Sequence, residues 1–197
     1  MNTRDKILHC IYEDMKIFGF QGLRPDKAIE KLGLSKGAMY HYFNNKPEIG
    51  YLIVEEIIQP EYLAPFIPLL SYEGDPIDYI QQNIFLPMQN QATDHTLSLG
   101  SPVHNLVQEM APLDEGFRTR LAIILDTARD IIADSIRRGQ EKGTIVPDID
   151  PKQIAGFIQT MIAGTQGMAQ AFRNKNLFSA SLEMTAQVLD GFRKKTE

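Results

Sequence analysis

The sequence predicts an all-α fold, a small N-terminal helical head followed by a larger helical body. Three observations carry that reading. Apolar residues recur at three- and four-residue spacing, and almost none alternate with the period of two that a half-buried strand needs. Helix caps and first-turn prolines also punctuate the chain from end to end. The chain has 197 residues, 43% hydrophobic and 23% charged, enough to bury a core and unlike a disordered or collagen-like composition. One Cys forms no intrachain disulfide, and a Cys2His2-type zinc site lacks its ligands. The first ten residues, MNTRDKILHC, hold no apolar core of signal-peptide length, and no run of about 18 apolar residues occurs anywhere. The expected compartment is the cytoplasm.

Each element has a local reason. Thr3 caps a first helix whose stripe Ile7, Leu8, Ile11, Met15 and Phe18 faces a core, and Gly19 stops it. Pro25 opens a short second helix to about Leu32. Gly33 breaks it, and Ser35 caps a third helix over 36–43. After the turn Asn44-Asn45, Pro47 starts a fourth helix bearing Ile49, Leu52, Ile53 and Ile57. Pro60, Pro65 and Pro68 then interrupt regularity between head and body. The head is assigned residues 1–48 and the body, which takes in the fourth helix, 49–197. In the body Asp75-Pro76 opens a helix to about Gln91, residues 93–101 read as a polar loop, and a short helix covers roughly 102–111. A long helix from about Asp114 to Gly143 keeps Phe117, Leu121, Ile124, Ala128 and Ile131 on one stripe. Asp150-Pro151 opens another to about Arg173. The last, over about 178–194, spaces Phe178, Leu182, Thr185, Leu189 and Phe192 like a heptad repeat.

The net charge of −5 conceals an asymmetry: residues 1–50 hold 8 Lys/Arg against 6 Asp/Glu, and residues 51–197 hold 12 against 19. A basic head on an acidic body suits a chain of which one end meets phosphates. A first helix, a short second, a Gly-containing turn and a Ser-capped third describe a helix-turn-helix. Met39 and Phe43, one turn apart, pin the third helix from behind. Lys36, Tyr40 and His41 point elsewhere, and Gly37 and Ala38 leave room for close approach to a major groove. Lys46 stands at the next helix start, where backbone N–H groups favour a phosphate. A merely solvated Lys-Tyr-His face would show the same residues.

The ordered stretch Leu34-Ser35-Lys36-Gly37-Ala38-Met39-Tyr40-His41-Tyr42-Phe43-Asn44-Asn45-Lys46 closely resembles the recognition segment of TetR-type regulators. Thr3–Leu8 and Gly19-Phe20 are similar to that family's first helix and its end, so the resemblance spans about residues 3–56. It implies a dimeric, ligand-responsive repressor in which Lys36, Gly37, Ala38, Tyr40, His41, Tyr42 and Lys46 approach duplex DNA. Where the family has Thr or Ser capping its second helix, this chain has Leu23-Arg24; Arg24 is either an electrostatic substitute or a surface cation. The stretch Gly100–Met110 is similar to one branch of the family in which a Gly-Cys pair precedes Asn-Leu; Ser101 holds the Cys position, so no thiol sensing is available there.

Tyr62, Phe66, Phe85, Met88, Ser101, His104, Met110 and Phe117 form the expected effector-facing set, because small-molecule pockets are mostly apolar with few polar groups. An ordinary core uses the same spacing. Gly156, Thr160, Gly164, Gly167 and Ala171 recur at spacings of 4, 4, 3 and 4, a seam that admits another helix closely. With Leu182 and Leu189 they predict a four-helix homodimer interface; the alternative is a close contact inside one chain. A helical enzyme is disfavoured. No Gly-x-Ser-x-Gly, His-Glu-x-x-His, P-loop or Gly-x-Gly-x-x-Gly occurs, and none of His9, His41, His95 and His104 has a second histidine at i,i+4. No cofactor or metal is expected. A protein-only interaction module suits the acidic body but leaves the segment 35–43 without a purpose. The expectation is a DNA-binding regulator on a pseudo-palindromic operator, released by a small, largely apolar, non-covalent effector, with no membrane partner.

Overall fold

A computed structural model describes residues 2–194; Met1 and residues 195–197, the outer ends of the expected head and body, lie outside the described residues. Among the described residues the structure is all-α, with no strand and one isolated bridge, Ile145 to Arg193. The helices are α1 (Thr3–Gly22), α2 (Pro25–Glu30), α3 (Lys36–Tyr40), α4 (Lys46–Ile53), α5 (Gln59–Leu63) and α6 (Pro76–Ile80). They continue as α7 (Leu86–Asn90), α8 (Asp94–Leu99), α9 (Pro102–Met110), α10 (Glu115–Glu141), α11 (Pro151–Phe172) and α12 (Lys175–Asp190). None of these is long and apolar enough to cross a membrane.

The caps show how the head is cut into short pieces. Asn2, one residue before the expected Thr3, caps α1 by accepting from the Asp5 N–H at 2.9 Å. Ser35 Oγ accepts from the Ala38 N–H to start α3, and Asn45 Oδ1 accepts from the Glu48 N–H to start α4. Gly19 breaks α1 with φ 70° and ψ 175°, a conformation suited to glycine. That break decides which aromatic ring is inside. Phe18, expected inside, is 60% exposed, whereas Phe20 swings inward past the break and is buried.

Two prolines sit inside helices without ending them. Pro60 was expected to interrupt regularity, yet the helical rod runs on through α5. A π-helical turn over Val54–Ile58 precedes it, and the Gln59 N–H reaches back five residues to the Val54 carbonyl. The same device recurs before Pro87: a π turn over Gln81–Phe85 links α6 to α7, with the Leu86 N–H bonded to the Gln81 carbonyl. The wider turn relieves the clash of a proline ring with the carbonyl four residues back. Another departure lies at 93–101, expected as loop. Residues Asp94–Leu99 are helical because Thr93 and Thr96 form a reciprocal capping box.

The chain forms two compact units, Met1–Tyr62 with Pro102–Ile124 and Leu63–Ser101 with Leu125–Glu197. In the first, α1 packs on α2, α4 and α9. Its polar ties are long-range in sequence: Arg4 to Glu56, Tyr12 Oη to Glu61, Arg120 to Glu55, and Tyr51 Oη to Asp114 at 2.8 and 2.9 Å. In the second, α11 packs on α12 and α8, and Arg193 is held by Asp75, Asp78 and Asp190.

Asp114 carries a pH-dependent part of the first unit's stability. The Phe117 N–H and then the Tyr51 hydroxyl hold its carboxyl below the usual carboxylate range. A depressed folded-state pKa stabilises the fold above the unfolded value and loses that contribution as pH falls through the folded value. Asp114→Asn is therefore expected to lower Tm at neutral pH. The gap to the wild type should narrow as pH drops below about 4, a trend followed by circular dichroism melts across that range.

Candidate nucleic-acid interface and effector cleft

The third helix, expected over 36–43, ends at Tyr40, and His41, Tyr42 and Phe43 form the turn that follows; helix and turn together present two faces. Met39 and Phe43 are fully buried, while Lys36, Gly37, Tyr40, His41 and Tyr42 are exposed and Ala38 is half-buried. Lys36 Nζ lies 5.8 Å from the Tyr40 ring centroid, and the His41 and Tyr42 rings meet edge-on at 5.2 Å. Behind them the Arg4 guanidinium sits 5.7 Å from the Phe43 ring centroid. The result is a short helix braced at the back, with hydroxyl, imidazole and ammonium groups at the front.

Charge pairing decides which cations remain on offer. Arg4 pairs with Glu56, Lys16 with Glu13, Lys27 with Glu30 and Lys31 with the buried Asp14. Lys6, Arg24 and Lys36 make no ion pair with a described residue. Arg24 stands at the cap position of α2, is exposed, and makes no capping hydrogen bond. Lys46 differs from its expected role. Its ammonium turns back to donate to the Leu23 carbonyl at 2.7 Å and the Gln21 carbonyl at 3.1 Å, over the Phe20 ring. Those carbonyls end α1 and lack helical partners, so the cation closes a helix end. Burial pushes its pKa down, partly offset by Glu109.

The expected effector set divides between the units. Tyr62, His104, Met110 and Phe117 belong to the first, and Phe66, Phe85, Met88 and Ser101 to the second. Phe117 is a core ring, edge-on to Phe20 at 4.6 Å and to Tyr51 at 5.1 Å. Tyr62 and His104 meet edge-on at 5.9 Å, and burial pushes the Tyr62 hydroxyl up to about 12. The second unit holds a cleft of about 160 Å³, lined by Met88, Gln91, Ala92, Thr96, Leu97, Gly100, Gln166 and Phe178. Met88 alone of the expected set lines it. Gln91, Thr96 and Gln166 complete the polar lining, and Thr96 lies in the stretch expected as loop. The lining is part apolar and part amide or hydroxyl, without a charged side chain. Among the described residues no group of three or more His, Cys, Asp or Glu is arranged to hold a metal ion.

Comparison with known proteins follows this geometry. Residues 82–184, just over half of the chain, match the family model described as "Tetracyclin repressor-like, C-terminal domain". The chain belongs to the TetR family. The transcriptional regulator AcuR of Cereibacter sphaeroides is 28% identical over 138 residues, which cover 70% of this chain and 62% of AcuR. The chain therefore spans under two thirds of that relative's length. The reduced form of E. coli NemR superposes with a TM-score of 0.84 at 20% identity, covering 100% of this chain and 99% of NemR. A TetR-family regulator from Cytophaga hutchinsonii gives 0.85 at 18% identity, covering 98% and 96%. TetR-family proteins are transcription regulators, not enzymes.

TetR-family regulators are dimers, and α11 and α12 carry the residues expected to meet a partner. The α11 seam is open: a Cβ added at Gly156, Gly164 or Gly167 would meet nothing within 4 Å, and Thr160 and Ala171 are exposed. Leu182 and Leu189 need correction. Both are 0% exposed within one chain, on the α12 stripe Phe178, Leu182, Thr185 and Leu189 that packs inward. Beside it runs a second, outward stripe of Leu177, Ser181, Met184 and Val188, in which Met184 is 59% exposed. Its spacing of three and four residues was readable, but the heavier inner stripe masked it. Leu182→Ala is accordingly expected to destabilise the protomer itself, by about 2–5 kcal/mol, in urea titrations run beside the wild type at the same protein concentration.

Proposed function

We propose that this regulator is a repressor that binds a pseudo-palindromic operator as a homodimer and is released by a small, neutral, largely apolar effector held non-covalently. The observation that carries the DNA-binding reading is the exposed surface of Lys36 and Tyr40 on α3 and of His41 and Tyr42 in the turn after it, backed by the buried Met39 and Phe43. Lys36 and Tyr40 suit phosphate oxygens, and Gly37 and Ala38 let the helix backbone enter a major groove. Residues 1–48 are the reading head in this proposal, with Arg24 a further phosphate contact and Lys46 a brace for the head. One short helix reads few base pairs, so two heads related by a two-fold axis are needed for a specific site. The open faces of α11 and α12 supply that axis, with Gly164 and Met184 at the contact.

The chemistry of the effector follows from what the chain offers. Its one thiol, Cys10, is half-buried and donates to the Ala28 carbonyl at 3.1 Å. Burial first, then Asp14 and Glu13, raise its pKa, and Lys31 opposes them. A protonated thiol is a poor nucleophile, and Ser101 is buried at the other candidate position. A reversible ligand fits both facts. The uncharged amide, hydroxyl and apolar lining of the second unit's cleft suits a neutral molecule of small size. Such a ligand releases DNA only by binding the two conformations unequally.

Two measurements test this reading. Lys36→Ala is expected to weaken binding to the operator that the wild-type protein selects from a library of random duplexes, and to flatten the slope of log K against log salt by about 0.9 per lost phosphate contact in each protomer. A slope equal to that of the wild type removes Lys36 from the interface. Gly164→Leu is expected to shift the protein toward monomer in sedimentation at low micromolar concentration, because filling a close helix contact costs about 1–3 kcal/mol and symmetry applies it twice. An undisturbed dimer assigns the seam another role.

A further inference from the structure

Resting on the reading of residues 1–48 as a DNA-binding head, we propose that Glu109 is a positioning residue through which α9 sets the orientation of that head. The break at Gly19 frees backbone donors that an unbroken helix would have used. Phe20 N–H donates to Glu109 Oε2 at 2.9 Å, and Gln21 N–H donates to Oε1 at 2.7 Å. One carboxylate thus takes a charge-assisted hydrogen bond on each oxygen from two successive peptides. It ties α9 to residues 89 and 88 positions earlier in the chain. Gly19 is fitted to this contact twice over. Its φ of 70° suits glycine, and a Cβ there would lie 2.9 Å from both carboxylate oxygens.

The same corner is gripped from its other side. Lys46 donates to the Gln21 and Leu23 carbonyls, so residue 21 has its N–H held by Glu109 and its carbonyl held by Lys46. Lys46 opens α4, and Pro25 opens α2 just beyond the corner; these are the two elements that flank α3. A displacement of Glu109 therefore moves both supports of the reading helix together. At the opposite end of α9, a helix of nine residues, His104 meets the Tyr62 ring edge-on, while Val103, Leu106 and Met110 fix the helix in the core. The strut is stiff, with a ring contact near one end and a carboxylate latch at the other. Removing the carboxylate leaves α3 folded and chemically complete but frees the angle at which it is presented.

The test uses the full chain without any effector. In Glu109→Ala, hydrogen exchange without DNA is expected to speed up at the Phe20 and Gln21 amides and across 36–43 by about tenfold or more. Tenfold corresponds to about 1.4 kcal/mol, near the lower end for a hydrogen bond to a charged group. Binding is measured on the selected operator and on the same half-sites spaced about two base pairs further apart. The wild type should prefer the selected spacing, and Glu109→Ala should reduce that preference by about tenfold. Glu109→Gln, with a single acceptor oxygen, should fall between them and serves if the alanine variant does not fold. Lys36→Ala should weaken both spacings equally. Faster exchange confined to residues 20–21, or an unchanged spacing preference, overturns the proposal by reducing Glu109 to a local cap. Absence of duplex binding by the wild type defeats the DNA-binding reading instead, and exchange at 36–43 still decides the mechanical link.

Discussion

Gly50 brings α4 against two aromatic rings at once: a Cβ there would come within 2.5 Å of both Phe117 and Phe20. No larger residue fits without moving rings that are themselves packed edge-on, Phe20 against Phe117 and Phe117 against Tyr51. Such pairs add about 0.5–1.5 kcal/mol beyond the area they bury, and here they join α1, α4 and α10 at one point. Phe20 reaches that point only because the helix breaks at Gly19, and Tyr51 continues from it to the cap of α10 at Asp114. The break, the missing side chain and the ring cluster form a single arrangement.

Much of this was legible in the residues themselves. Ser35 as a cap, Met39 and Phe43 as the inner face of α3, and the α10 stripe from Phe117 to Ile131 follow from hydroxyl chemistry and helical spacing, which act locally. The errors arose where a distant partner settles the matter. Phe18 and Phe20 are equally hydrophobic, and only the conformation of Gly19 chooses between them. Lys46 looks like any cation at a helix start until the open carbonyls of α1 come near it. Leu182 and Leu189 have a spacing that fits a core or a coiled-coil seam, and packing within the chain uses them up. Glu109 carries no local signal at all, since its partners lie 88 and 89 residues away. The prolines mislead differently: a π turn two residues ahead rescues the helix, and its signature in sequence is weak.

Charge shows the same division between composition and contact. The head's excess of cations is small by count, but internal pairing takes Arg4, Lys16, Lys27 and Lys31 out of circulation and turns Lys46 inward. Among the described residues Lys36, Arg24 and Lys6 make no ion pair, the first on the exposed helix and the second at the start of its neighbour. The surface pairs, Lys16–Glu13 and Lys27–Glu30, contribute little stability. Their effect is selective: they silence charge elsewhere and leave it where α3 is offered to solvent.

The tie between Arg193 and the three aspartates has a consequence for synthesis on the ribosome. Asp75 and Asp78 emerge long before Asp190 and Arg193, separated from Arg193 by 118 and 115 positions. The first unit draws on nothing beyond Ile124, whereas the second recruits the chain as far as Arg193. At about 5–20 residues per second, several seconds of translation separate the two. A nascent chain thus has every residue of its first unit in hand while Asp75 and Asp78, already made, still wait for their cation. The residues that each unit needs become available in the order of their codons.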